Sequence, residues 1–226
     1  MTTQKATQKR GREPLSQERV LRAALEIADR EGIDALSMRN VAAAVGVEAM
    51  SLYHHVANKE DMLAGLVELV AGEIEVPVIG GAWRAQMKKR ARSAHAVLVK
   101  HRWATMLFVS RPNVGPNMLR YVNATLGCLV EAGFSYPMAD HAWQVIDGHV
   151  YGFTLQKLNF PFEPDQYAAM AKHYIESTPM GPYPFLHELA RHVADHRHDG
   201  LQDFDFGLDM ILDGLEKELA KQKKKR

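Results

Sequence analysis

Cysteine is nearly missing from this chain of 226 residues, in which Cys128 stands alone. A single thiol excludes an intrachain disulfide and a cysteine-built metal centre, and makes the reducing cytoplasm the expected home. Long apolar runs are missing as well. No stretch approaches the roughly 20 residues that span a bilayer, so no membrane partner is expected. The opening MTTQKATQKRGREPLS is polar and basic without an apolar centre, unlike a secretory leader. Neither sign of charge dominates, since the formal net charge is +1; charge is informative only locally, at Lys5, Lys9, Arg10 and Arg12 and again at Lys221 and Lys223–Arg226. No segment alternates apolar and polar residues as a half-buried strand would, and there is no internal repeat. A glycine-rich phosphate loop and a readable Ser-His-Asp or Cys-His arrangement are also lacking, which leaves little for a catalytic reading.

Apolar residues at 46% and charged residues at 24% are ordinary for a folded protein. Helix signals run through nearly the whole sequence. Ser16 is a good N-cap, Val20, Ala24 and Ile27 recur at helical spacing, and Gly32 ends the run. Ser37 caps a second, short helix through Val45, stopped by Gly46. A third runs over about 48–56. Asn58 caps a fourth that reaches about Glu75, with Glu60 and Asp61 in its first turn, where carboxylates suit the helix dipole. Pro77, Gly80 and Gly81 break the pattern. Beyond them the spacing predicts helices at about 83–101, 103–110, 116–132, 136–158, 165–177, 184–197 and 203–222. The expected fold is all-α, with a flexible basic arm (1–15), a three-helix head (16–65), a helix end and linker (66–82), a larger helical domain (83–222) and a basic tail (223–226).

Two short helices joined by a tight glycine turn, with an amphipathic helix in front, make a helix-turn-helix, whose second helix enters the DNA major groove. Here Val47, Leu52 and Val56 anchor that helix, leaving Ala49, Met50, Ser51, Tyr53, His54 and His55 outward or at the flanks. Small residues at its start permit close approach; Tyr53 and the histidines suit phosphates or base edges. Lys59, beside the Asn58 cap, suits a phosphate, and Arg39 suits the backbone or a guanine edge. Each has a plainer reading: Tyr53 packing on its own head, His54 and His55 merely solvated, the arm and the tail as solubilising charge.

The stretch LSMRNVAAAVGVEAMSLYHHVANKEDML resembles the DNA-binding segment of the TetR family of bacterial transcriptional regulators. The matching positions are Ser37, Arg39, Val41, Ala42, Gly46, Val47, Leu52, Tyr53, His55, Val56, Asn58, Lys59 and Leu63. FDFGLDMILDGLEKEL more weakly resembles the family's last helix. The resemblance implies a homodimer joined through a C-terminal four-helix bundle, an unknown small-molecule effector that controls the two heads, and a double-stranded, palindromic operator. It places Arg39, Ala49, Met50, Ser51, Tyr53, His54 and Lys59 at the DNA, and the matching positions Ser37 and His55 are counted with them as DNA-binding candidates. Ala49 and Met50 are less polar than many members there, so van der Waals readout is expected.

For dimerisation the sequence offers a stripe, Phe204, Leu208, Ile211, Leu215 and Leu219, and the small residues Ala142, Gly148 and Gly152, which allow a second helix close. For the effector it offers aromatic, sulfur and sparse polar groups at Trp103, Met106, Met118, Tyr121, Trp143, Gln144, Asp147 and Tyr151. Asp147 needs a partner, being a carboxylate within an apolar helix. In HELARHVADHRHDG, His192 and His196 stand four apart near Asp195, His198 and Asp199, a spacing that binds zinc or nickel. The motif lacks the intervening glutamate of a zinc hydrolase, so no metal, cofactor or catalytic residue is assigned. The expected function is a ligand-responsive repressor; the alternatives are a regulator without small-molecule ligand and a metal enzyme built on His192 and His196.

Overall fold

The computed structural model describes residues 14–161, 166–179, 181–198 and 203–225, and among these it contains eleven α-helices, one short 3₁₀ turn and no strand. Residues 1–13, which carry the cations of the basic arm, together with Asp199 and Arg226 lie outside the described residues. The helices are α1 (Gln17–Glu31), α2 (Met38–Val45), α3 (Ala49–Leu52), α4 (Lys59–Glu73), α5 (Trp83–Lys100), α6 (Ala104–Ser110), α7 (Pro116–Glu131), α8 (Tyr136–Leu158), α9 (Tyr167–Ser177), α10 (Pro184–Ala194) and α11 (Phe204–Lys225).

The helix ends follow from capping chemistry. Ser16 Oγ accepts the Arg19 amide at 3.2 Å and Ser37 Oγ accepts that of Asn40 at 3.2 Å. Asn58 Oδ1 accepts the Asp61 amide at 2.9 Å while Asp61 accepts the Ala57 amide at 2.8 Å. These bonds satisfy donors that the first turn of a helix leaves open. Gly46, at φ 73° and ψ 40°, stops α2 in the left-handed conformation that glycine adopts without steric cost.

Two compact units divide the chain. One comprises the residues up to Glu73 together with Lys100–Leu119; the other comprises Ile74–Val99 and Arg120 onwards. The first is thus larger than the helix-turn-helix alone, for specific polar reasons. Glu68 on α4 accepts the Asn117 and Met118 amides at 2.8 and 3.1 Å, and Asn117 Nδ2 returns a bond to the Glu68 carbonyl at 3.0 Å. A Cβ on Gly115 would fall 2.1 Å from the Glu68 carboxyl carbon, so a side chain there would push the Glu68 carboxylate off the Asn117 and Met118 amides. Buried His101 places Nδ1 2.8 Å from Asp29 Oδ1, which also accepts Trp103 Nε1 at 2.8 Å.

The second unit is held by an apolar interior and by charge along α5. Met87, Ala91, Ala94 and Leu98 face inward. On another face of α5, Arg84, Lys88 and Arg92 meet the α11 carboxylates Asp213, Asp209 and Asp205 at 2.6–2.7 Å. Partly exposed pairs of this kind contribute little each, and together they fix the register of α11 on α5. No helix among the described residues is long and apolar enough to cross a membrane.

Candidate nucleic-acid interface and effector core

The head is a small dry core with an unoccupied polar outside. Val20, Ala24, Ile27, Leu36, Val41, Val45, Leu52, Val56, Met62 and Leu66 are buried together, and Val47 packs against them. Burying each of the larger side chains stabilises the head by about 1.5–3 kcal/mol before chain entropy. Arg19 Nη2 donates to the Val45 carbonyl at 3.0 Å, so α1 holds the last turn of α2 just before the tight glycine. The Val47 amide closes that turn onto the Ala42 carbonyl at 3.0 Å.

The second helix of the motif is shorter than its apolar spacing suggests. Regular α-helix covers Ala49–Leu52, and Tyr53–His55 follow as turn. The Tyr53 and His55 amides bond three residues back, to Met50 and Leu52, so the tail is tightened. Leu52 and Val56 remain fully buried, Met50 is 74% exposed and Tyr53 49% exposed. Arg39, His54 and Lys59 are exposed; Ser51, Ala49 and His55 are half-buried. Tyr53 is therefore about half open to solvent. Ser37 serves as the α2 cap and is half-buried.

Among the described residues the side chains of Arg39, Tyr53, His54 and Lys59 have no hydrogen-bond or ion-pair partner, whereas Arg22 pairs with Glu18 and Arg30 with Glu31. Open donors of this kind suit phosphates and base edges. The head as a whole is not basic: Glu18, Glu26, Asp29, Glu31, Asp34, Glu48, Glu60 and Asp61 outnumber Arg19, Arg22, Arg30, Arg39 and Lys59. Affinity for a polyanion thus depends on where those few cations stand.

In the second unit a set of polar side chains gathers around one buried carboxylate, Asp147. Arg90 on α5 is 1% exposed; its Nη2 donates to Asp147 Oδ1 at 2.5 Å and its Nη1 to the Tyr121 hydroxyl at 2.6 Å. Trp143 Nε1 and the Tyr151 hydroxyl donate to Asp147 Oδ2 at 2.6 and 3.2 Å. Arg90 Nε is buried without a partner. Burial works against the guanidinium charge, but Tyr121 and Asp147 beside it outweigh that and hold its pKa above the ordinary value. Burial, reinforced by the Asp147 charge, raises the pKa of Tyr151, and burial likewise raises that of Tyr121; both stay neutral hydrogen-bonding phenols.

Of the residues proposed from sequence for an effector, Tyr121, Trp143, Asp147 and Tyr151 are brought together here. The others are not. Gln144 is exposed and bonds Asp140; Trp103, Met106 and Met118 belong to the first unit, where Trp103 bonds Asp29 and Met106 is exposed. Sequence reading missed Arg90, hidden in MKKRARSAH. The available signal was its phase: Met87, Arg90, Ala91, Ala94, Val97 and Leu98 share one helical stripe.

The dimer stripe needs a larger correction. Ala142 and Leu208 are 0% exposed and Leu215 6%, so these side chains close the protomer's own core and leave nothing for a second copy. Ile211 is half-buried. What stands open is Val145, Gly148 and Gly152 on α8 and Phe206, Met210 and Gly214 on α11; a Cβ on any of those three glycines would touch nothing within 4 Å.

The histidine pair does not keep the helical spacing read from the sequence. α10 ends at Ala194, and His196 takes φ 55°, so His192 and His196 do not share a helical face. The Arg197 and His198 amides both fold back to the His192 carbonyl, and the His192 ring lies 3.5 Å from Glu188. No group of three or more metal-ligating side chains occurs among the described residues.

An open reading head on a tight glycine turn, joined to a helical unit with a buried polar core, is the build of a one-component transcriptional regulator. Residues 20–66 match the model of bacterial regulatory proteins of the tetR family, and residues 77–219 match that of the tetracyclin repressor-like C-terminal domain. The transcriptional repressor DrrR1 of Streptomyces coeruleorubidus is 34% identical over 226 residues, covering 95% of this chain and 82% of that protein. The class A tetracycline repressor of Escherichia coli is 31% identical over 204 residues, covering 88% and 89%. The structure of ActR from Streptomyces coelicolor in complex with actinorhodin matches at 30% identity and a TM-score of 0.75, covering 92% and 99%. The chain belongs to the TetR family, and is a ligand-responsive, DNA-binding transcriptional repressor.

Proposed function

We propose that a homodimer of this chain reads a palindromic operator through Arg39, Ala49, Met50, Ser51, Tyr53, His54, His55 and Lys59, with Ser37 holding α2 in place. The two heads enter successive major grooves, about 34–36 Å apart for half-sites one turn apart. The dimer forms through the open α8 and α11 faces, Val145, Gly148, Gly152, Phe206, Met210 and Gly214. The protein acts by binding alone, in the cytoplasm, with no catalytic turnover.

The effector engages the Arg90 core, and it is a flat molecule rich in carbonyl or phenolate oxygens. The observation that carries this is the buried guanidinium with its Nε unpartnered, bonded to Tyr121 and to Asp147, on which two aromatic donors, Trp143 and Tyr151, also converge. Acceptor oxygens on an aromatic frame can compete with Asp147 for those donors and stack on the rings. The relatives named for tetracycline, and ActR with its bound actinorhodin, support an organic effector. Because the core is packed, the effector must favour an opened form over the closed one; only that difference in affinity can release DNA.

The test starts from an operator selected from random duplexes at about 150 mM salt, where non-specific phosphate binding is suppressed. Polyoxygenated aromatics are then screened for thermal stabilisation and for release of the labelled operator. Compounds active in both assays, and weakened by Tyr151→Phe, are expected. Active compounds indifferent to Tyr151→Phe would move the effector site elsewhere; none at all would rule out polyoxygenated aromatics as the effector class.

A further inference from the structure

Met50 is the most exposed side chain of the three-helix head among the large apolar ones, and its position is not incidental. Two residues before the fully buried Leu52, it lies roughly 160° round the helix from the residue that fastens α3 to the core. It therefore points straight away from the protein. Its neighbours Ala49 and Ser51 are small, and the side chains of Tyr53 and His54 have no partner within the described protein. An apolar tip thus stands at the centre of a face whose surrounding donors are open.

A thioether on a flexible carbon chain can find only one complementary feature in the major groove. Guanine shows two acceptors there, adenine an acceptor and a donor, cytosine a donor, and thymine an acceptor beside its 5-methyl group. Pressed on a purine edge or on the cytosine amine, Met50 would strip water from polar groups and return no hydrogen bond. Against a thymine methyl it buries apolar surface on both sides. Attraction and rejection then point to the same base, and that combination makes a specificity determinant.

Building on the operator reading above, we propose that Met50 selects one thymine in each half-site through the 5-methyl group, so that the protein reads a methyl and not a pattern of hydrogen bonds at that step. Burial of one methyl is worth roughly fourfold in affinity, and roughly tenfold or more when both half-sites lose it.

The experiment takes the selected operator and replaces each thymine, one symmetric pair at a time, by deoxyuridine, which deletes the methyl and nothing else. One pair is expected to weaken binding by that amount in a titration of the full-length protein. Met50→Ala should bind the thymine and uridine duplexes equally, with its helical circular dichroism unchanged. At the same symmetric pair, 5-methylcytosine opposite guanine in both half-sites should raise affinity over cytosine by roughly tenfold or more, since two methyl groups are restored. A symmetric consensus with no methyl-sensitive pair, or a sensitivity that persists in Met50→Ala, overturns the inference and leaves operator reading intact. If a folded protein enriches no sequence, both fall together.

Discussion

Arg39 and Arg90 are the same residue used in opposite ways. Arg39 stands exposed on α2 with no partner among the described residues, while Arg90 is buried on α5 with both terminal nitrogens engaged. The contrast holds for the regions around them. The head buries apolar side chains and leaves Arg39, Tyr53, His54 and Lys59 open, as the proposed bonds to a nucleic acid require. The larger unit closes its polar bonds internally around Asp147, so a ligand there can only exchange one partner for another. An open donor gives its interaction on first contact; a closed one yields only to a molecule that supplies better acceptors. The first arrangement suits steady recognition and the second suits a switch.

The largest effect expected from breaking this contrast is at Arg90. Arg90→Met leaves Asp147 buried without its cation and should lower stability by about 3–5 kcal/mol in urea unfolding. Adding Asp147→Leu should recover most of that loss, since a buried ion pair is often replaceable by apolar residues of similar volume. A single variant as stable as the parent would show that the pair is not desolvated as described.

Next in size is the difference between Leu208 and Met210, two residues apart on α11. Leu208→Ala empties a site in the protomer core and should cost about 2–5 kcal/mol. Met210→Asp, on the open face, should instead yield monomers in sedimentation while the helical signal persists. The opposite result, with Leu208→Ala monomeric and Met210→Asp dimeric, would restore the buried stripe as the dimer surface.

That reversal shows what the sequence discloses. Helix ends were legible because capping is local: Ser16, Ser37, Asn58 and Gly46 act on atoms within a few residues, and each stands where its spacing predicts. Which stripe faces inward is a different matter. Leu208 and Leu215 are apolar, and so are Phe206 and Met210, and a single helix does not say which set meets α8 of its own chain. Arg90 illustrates the same gap, since its neighbours Lys88, Lys89 and Arg92 are cations too and only its phase sets it apart. Its partners lie 31 and 57 residues away. His196 failed differently, because one backbone residue at φ 55° broke a helix that the apolar spacing continued.

On the head, Arg39→Ala should weaken specific binding by about 1–3 kcal/mol if the guanidinium reaches a base edge. Lys59→Ala should weaken all sequences alike and reduce the salt-dependence slope by about 1. Neither should move thermal stability by more than about 0.5 kcal/mol, since neither side chain touches the core. Mobility-shift titrations over a salt series separate the two roles; an Arg39→Ala variant that keeps its sequence preference would reassign that residue to the backbone.

The smallest expected effect tests whether the second unit's closed interior extends to its histidines. His95 on α5 stacks on Phe204 at 4.5 Å, and its Nδ1 lies 2.8 Å from Thr154 Oγ1, which itself donates to the Val150 carbonyl at 2.6 Å. The ring must therefore donate from Nδ1. Burial, then the charges of Lys157 and His149, push its pKa down to about 4. In the unfolded chain the imidazole takes up a proton as pH falls through its ordinary value near 6.5, whereas in the fold it does not until about 4. Protonation then favours the unfolded state, so His95 contributes no pH dependence at pH 7 and draws stability down across that window. Because the ring is only half-buried, solvent screens much of the effect. Unfolding midpoints compared at pH 7 and pH 5 should fall less for His95→Gln, which keeps a donor for Thr154, than for the parent. Equal slopes would mean that the His95 ring is well solvated within the fold.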